Sequence, residues 1–171
     1  MVPGRNFLVK ICLAVFCFVL FYSCATKVRA PIKSKKSASS SSQFIWPLDK
    51  FQISSFYGWR SSRRMHYGID LRAPGGTPIK ASRAGKVIYA GWMRGYGRTL
   101  IIRHNRQWTT LYGHLKTYRV RKGRRVKAGQ IIAGVGRSGR ATGNHLHFEI
   151  RRGSDAVDPL SLLPKYSSRK K

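Results

Sequence analysis

The stretch His145-Leu146-His147-Phe148-Glu149-Ile150 constrains this chain most. Polar and apolar residues alternate without a break, and in a β-strand alternate side chains share a face. Leu146, Phe148 and Ile150 therefore point into a core, while His145, His147 and Glu149 share the opposite face. Four other short runs, 86–90, 99–104, 107–112 and 130–135, are rich in β-branched and aromatic residues and are punctuated by glycine. No stretch keeps a helical period long enough to make a convincing helix. The pattern predicts an all-β domain.

The cysteines narrow the chemistry. Cys12, Cys17 and Cys24 all lie near the start, so the rest of the chain has neither a disulfide framework nor a thiolate metal site. Residues 1–24 read as an export signal, with basic Arg5 followed by an apolar run shorter than the ~20 residues of a spanning helix. Ser23-Cys24 at the end of that run resembles the lipobox of bacterial lipoproteins, which makes Cys24 a candidate for lipidation and membrane anchoring. Residues 25–43 are rich in Ser and Lys and form a linker. The folded domain spans 44–165, and 166–171 is a basic tail.

Metal ligands in such a domain must be His, Asp or Glu. Only five histidines and five acidic residues exist in 171. His66-Tyr67-Gly68-Ile69-Asp70 offers a nitrogen and an oxygen donor, with Gly68 allowing an unusual backbone angle or a close approach. Leu111-Tyr112-Gly113-His114-Leu115 places a histidine at a strand end. With His145 and His147, four of the five histidines fall in three short motifs. Two nitrogens and one carboxylate oxygen plus a water form a common catalytic zinc shell. The strand pattern alone leaves open which of His145 and His147 binds metal. His104 reads as a structural strand end. Arg60 either braces a groove, contacts a carboxylate or is simply solvated.

H-Y-G-I-D, Y-G-H-L and T-G-N-H-L-H-F-E, in this order, resemble the lysostaphin-type (LytM-like) zinc peptidases, and the likeness runs over 44–164. The resemblance implies a compact antiparallel β fold with Zn2+ at the floor of a groove. It assigns His66, Asp70 and His147 as metal ligands. His145 becomes the base for a zinc-activated water, and His114 stabilises the oxyanion or orients the water. It implies a zinc endopeptidase that cuts peptide bonds in peptidoglycan, with regulatory cell-division or cell-wall proteins as further partners. The competing reading is a non-catalytic LytM-like regulator of another cell-wall hydrolase.

Lys+Arg total 34 against 5 Asp+Glu, a formal net charge of +29. Such a field draws polyanions, and aromatic residues interleaved with arginines suit single-stranded nucleic acid. The export signal and the lack of a nucleic-acid motif argue against a specific nucleic-acid partner. The run Arg121, Lys122, Arg124, Arg125 and Lys127 is the clearest candidate for electrostatic contact with an anionic wall.

Overall fold

The computed structural model describes residues 44–61 and 64–166. The export-signal and linker assignments, Cys24 included, and residues 167–171 of the basic tail lie outside the described residues.

The described chain is built almost entirely from strands, all paired antiparallel. In chain order these are β1 (Gln52–Ser55), β2 (Gly58–Ser61), β3 (Arg64–His66), β4 (Ile69–Arg72), β5 (Pro78–Lys80), β6 (Gly85–Met93) and β7 (Gly97–Arg103). They continue with β8 (Trp108–Gly113), β9 (Leu115–Tyr118), β10 (Arg125–Val126), β11 (Ile131–Val135), β12 (His145–Arg152) and β13 (Asp155–Val157). One 3-10 turn, Pro159–Ser161, follows, its first turn capped by the Asp158 carboxylate.

The main sheet runs β1-β4-β12-β8-β7-β6-β10, with β13 also paired to β12. A second sheet is β5-β11-β9, and β2-β3 form a hairpin. The all-β, antiparallel expectation is therefore met. Each of the five runs read as strands falls on a strand of this fold.

The core follows the alternation. Leu146, Phe148 and Ile150 are fully buried, as are Ile69 and Leu71 on β4. They join Leu100, Ile102 and Val87 of the main sheet and Ile79, Ile132 and Leu115 of the smaller one in a single cluster. Each such side chain contributes ~1.5–3 kcal/mol by leaving water. Gly68 is explained by close approach rather than by backbone angle. A Cβ there would run into the Phe148 carbonyl oxygen of the neighbouring β12.

Register does the work of bringing the motifs together. β12 lies between β4 and β8, and His147 sits opposite Asp70 on one side and Gly113 on the other. Asp70 and His147 are thus cross-strand partners despite being distant in sequence. The hairpin pairs Gly58 with His66 and delivers this third donor from outside the main sheet.

Candidate metal centre

His66, Asp70 and His147 converge. His66 Nε2 lies 3.1 Å from Asp70 Oδ1 and 3.1 Å from His147 Nδ1, and the last two atoms are 2.9 Å apart. The three form the one group among the described residues that could hold a metal ion. The arrangement fits tetrahedral zinc. Zn–N and Zn–O bonds of ~2.0–2.1 Å place neighbouring donors ~3.3 Å apart, close to the separations here.

The tautomers fit as well. His66 Nδ1 donates to the Phe56 carbonyl at 2.6 Å, so its unprotonated Nε2 turns toward the other two donors. His147 Nε2 donates to Glu149 Oε1 at 3.0 Å, which frees Nδ1. Metal-ligating histidines are held in this way, with the far nitrogen tied to a carbonyl or carboxylate.

Glu149 is fully buried. Its Oε1 also accepts from the Tyr96 hydroxyl at 2.7 Å, and its Oε2 from Arg151 Nη1 at 2.8 Å. Burial pushes its carboxyl up, but the bond and charge of His147, the Tyr96 hydroxyl and the Arg151 guanidinium outweigh burial and hold it below its ordinary value. Burial also opposes ionisation of Asp70, yet its bonds to His147 and His66 hold it well below the carboxylate range. For His147, burial disfavours the proton while Asp70 and Glu149 favour it, with a net upward shift. The two carboxylates thus favour positive charge between the donors, where a metal cation competes with protons.

Arg60 turns out to be a brace. Its Nη2 donates to Asp70 Oδ2 at 2.7 Å and to Ser55 Oγ at 2.7 Å. That leaves Asp70 Oδ1 facing the two histidines.

His114 and His145 lie beside the three, with ring centroids 4.7 Å apart. His145 Nδ1 donates to the Gly143 carbonyl at 2.9 Å, and its Nε2 is 3.8 Å from Asp70 Oδ1. His114 has a φ of 58°, the one positive φ outside glycine among the described residues. Such a backbone is unfavourable for a residue that carries a Cβ and tends to collect at functional sites. Its backbone N–H donates to the Tyr96 carbonyl at 2.7 Å, and its Nδ1 to the Ser138 carbonyl at 2.7 Å. Burial, partly offset by the Ser138 bond, pushes its pKa down to about 4. His114 is therefore neutral at pH 7, and its Nε2 is an acceptor.

All five residues line one cleft of about 510 Å³, whose walls include Arg64, Tyr67, Tyr96, Arg140 and Thr142. Tyr96 is the residue that motif reading passed over. Nothing in its local sequence ties it to Glu149, 53 positions away.

The model of peptidase family M23 matches residues 64–159, more than half of the chain. The chain belongs to peptidase family M23. Among curated M23-related proteins it is 42% identical over 123 residues to the DD-carboxypeptidase/endopeptidase Mpg of Neisseria meningitidis, covering 69% of this chain and 28% of that one. It is 49% identical over 105 residues to the uncharacterized lipoprotein YgeR of Escherichia coli, covering 61% and 41%. It is 39% identical over 133 residues to the murein hydrolase activator NlpD of Salmonella typhimurium, covering 77% and 34%. The match thus spans well under half of each of these relatives. Among solved structures, the catalytic domain of lysostaphin from Staphylococcus simulans aligns with a TM-score of 0.60 at 37% identity, covering 65% of this chain and 90% of that one. A zinc-containing peptidase from Vibrio cholerae aligns with a TM-score of 0.63 at 37% identity, covering 71% and 39%.

His104, the fifth histidine, stands apart. Its Nδ1 donates to the Ala84 carbonyl at 2.9 Å, and its Nε2 lies 2.9 Å from the Thr110 hydroxyl. Burial pushes its pKa below the ordinary value, and the Ala84 bond only partly opposes this. Between that lowered value and the ordinary ~6.5, the unfolded chain binds more protons than the folded one, so stability is lost as pH falls through this window. Thermal unfolding followed from pH 7.5 to 5 should show a falling Tm in the wild type and a flatter profile in His104→Gln. Equal slopes in the two proteins would contradict the assignment.

Proposed function

We propose that this M23 domain is a zinc-dependent endopeptidase acting on peptide bonds of bacterial peptidoglycan. One observation carries the reading: three donors with zinc-like spacing share an open cleft with two further histidines. In this proposal His66, Asp70 and His147 hold the metal. Zinc bound there supplies Lewis acidity to a peptide carbonyl and to the attacking water. His145, with Nδ1 engaged by Gly143 and Nε2 directed toward Asp70, takes the proton from that water and returns it to the leaving amine. His114, neutral and with its one N–H given to Ser138, accepts a hydrogen bond from the water and orients it. That favours the water-orienting role over the oxyanion-stabilising one, which needs a donor.

The second reading is an activator of another cell-wall hydrolase. The names of relatives favour it over the enzyme: one matched relative is a murein hydrolase activator, and another is the cell division protein DipM of Caulobacter vibrioides. The intact cleft is what supports the enzyme. Both readings place the domain, residues 44–165, in the cell envelope beyond an export signal (1–24) and a linker (25–43). Anchoring through a lipidated Cys24 accords with the lipoprotein named among the relatives.

One experiment separates them. Purified peptidoglycan is digested with the full-length protein, and new ends are identified by mass spectrometry, beside His145→Ala. The enzyme reading expects new peptide ends from the wild type, and none from His145→Ala although that variant keeps its zinc. The activator reading expects no ends from the protein alone, and a faster digestion when a second wall hydrolase is added.

A further inference from the structure

A second cleft, also of about 510 Å³, opens at the other end of the main sheet. It is lined by Lys86, Arg103, Arg106 and Arg125, with His104 and Asn105 beside them and no acidic residue. Three of these cations are in direct cross-strand register. Arg125 of β10 pairs with Lys86 of β6, and Lys86 pairs with Arg103 of β7. Directly opposed residues share a face, and like charges so placed destabilise a sheet. All three are exposed, while their neighbours Val126, Val87 and Ile102 are buried on the other face.

The backbone tightens this row. A Cβ on Gly85 would press on the Arg103 carbonyl, Ile102 and His104, so the glycine lets β6 lie close against β7. The Asn105 side-chain oxygen accepts from the backbone N–H groups of Gln107 and Trp108, at 2.9 and 2.8 Å, which leaves its amide donors for a ligand. Among the described residues the ion pairs to carboxylates use Arg60, Lys80 and Arg151, and none of the four cations here. His104 is occupied on both ring nitrogens and takes no part.

We propose that this cleft binds a phosphate-bearing polyanion, one whose negative charges recur along its length. Neighbouring strands are ~4.8 Å apart, so the row presents positive charge at a repeat that a single carboxylate cannot fill. Arginine forks and a lysine ammonium are the groups that take phosphate oxygens. The site is separate from the metal cleft. Along β8, Thr109, which pairs with Arg103, and Gly113, which pairs with His147, are four residues apart, ~14 Å. Motif reading saw only the loop charges around Arg125. The contributions of Lys86 and Arg103 come from strands that only folding brings alongside.

The test is calorimetric titration of the full-length protein in mild detergent with inorganic tripolyphosphate at constant ionic strength. The triple variant Lys86→Gln, Arg103→Gln, Arg125→Gln should bind at least tenfold more weakly. A charge-matched control, Lys116→Gln, Arg119→Gln, Lys165→Gln, should lose less than about threefold, since it changes only the distant field. In phosphate-free buffer the first variant should unfold no earlier than the wild type, because opposed like charges have been removed, so its weaker binding is not unfolding. The single variant Lys86→Gln, which removes the middle charge, should already bind measurably more weakly. Equal losses in the two triple variants would overturn the proposal, as would citrate binding as tightly as tripolyphosphate.

Discussion

Asp70→Ala is expected to cut the zinc content of the purified protein from about one ion per molecule to less than about a tenth, and peptide hydrolysis by about a thousandfold or more. Asp70 Oδ1 is the one anionic donor of the group, within 3.1 Å of both candidate histidine donors. Without it, two neutral imidazoles face the cation. Arg60 also loses the carboxylate it grips at 2.7 Å and is left as a positive charge beside the site. Metal analysis measures the first effect directly. Added zinc provides an independent check, because an ion that binds only the folded state raises Tm, by ~4 kcal/mol of stability at a thousand times Kd. The wild type should show that rise and Asp70→Ala should not. A variant that kept full zinc occupancy would remove Asp70 from the ligand set.

Glu149→Ala is expected to lower stability by ~3 kcal/mol, about 10 °C in Tm, in metal-free protein. The carboxylate is fully buried and accepts from His147, Tyr96 and Arg151 together. Its removal strands a hydroxyl and a guanidinium whose side chain is 31% exposed, so the cost falls at the low end of the range for breaking a buried pair. Zinc affinity should fall ~10–100-fold besides, because His147 loses the acceptor that holds its Nε2–H and sets its tautomer. Glu149→Gln preserves the shape but not the charge and should lose less stability than Ala. Thermal unfolding with chelator, and zinc competition against a chromogenic chelator, read the two effects separately. Wild-type values of both for Glu149→Ala would sink the positioning role.

Much of this was legible in linear order. The alternation through 145–150 defines a strand with Leu146, Phe148 and Ile150 inward, and all three are fully buried. The scarcity of acids and the absence of cysteine beyond Cys24 left few candidate donors for a metal. The short strands β1 to β5, β9, β10 and β13 were not legible, because two to four residues carry too little periodicity to be told from loop. Nor was the burial of the polar face of β12. Alternation marks that face as polar, whether solvated or holding a metal, and carries no sign of its burial; His147 and Glu149 are buried, with Tyr96 packed against His147 and bonded to Glu149.

Sequence by itself thus determined the all-β class, the core face of the central strand and the short list of donors, because these depend on side-chain chemistry and a period of two. Tertiary structure alone decided how the donors meet. The β4–β12–β8 register sets His147 against Asp70 and beside His114, and the β2–β3 hairpin swings His66 onto them. The fold also gives Arg60 its brace, brings Tyr96 to Glu149, whose other two donors, His147 and Arg151, stand on either side of it along β12, and sets the Arg125–Lys86–Arg103 row side by side. The contacts that make the site, His147 with Asp70 and Tyr96 with Glu149, cross long sequence separations and depend on which strands lie side by side, a choice no local pattern encodes.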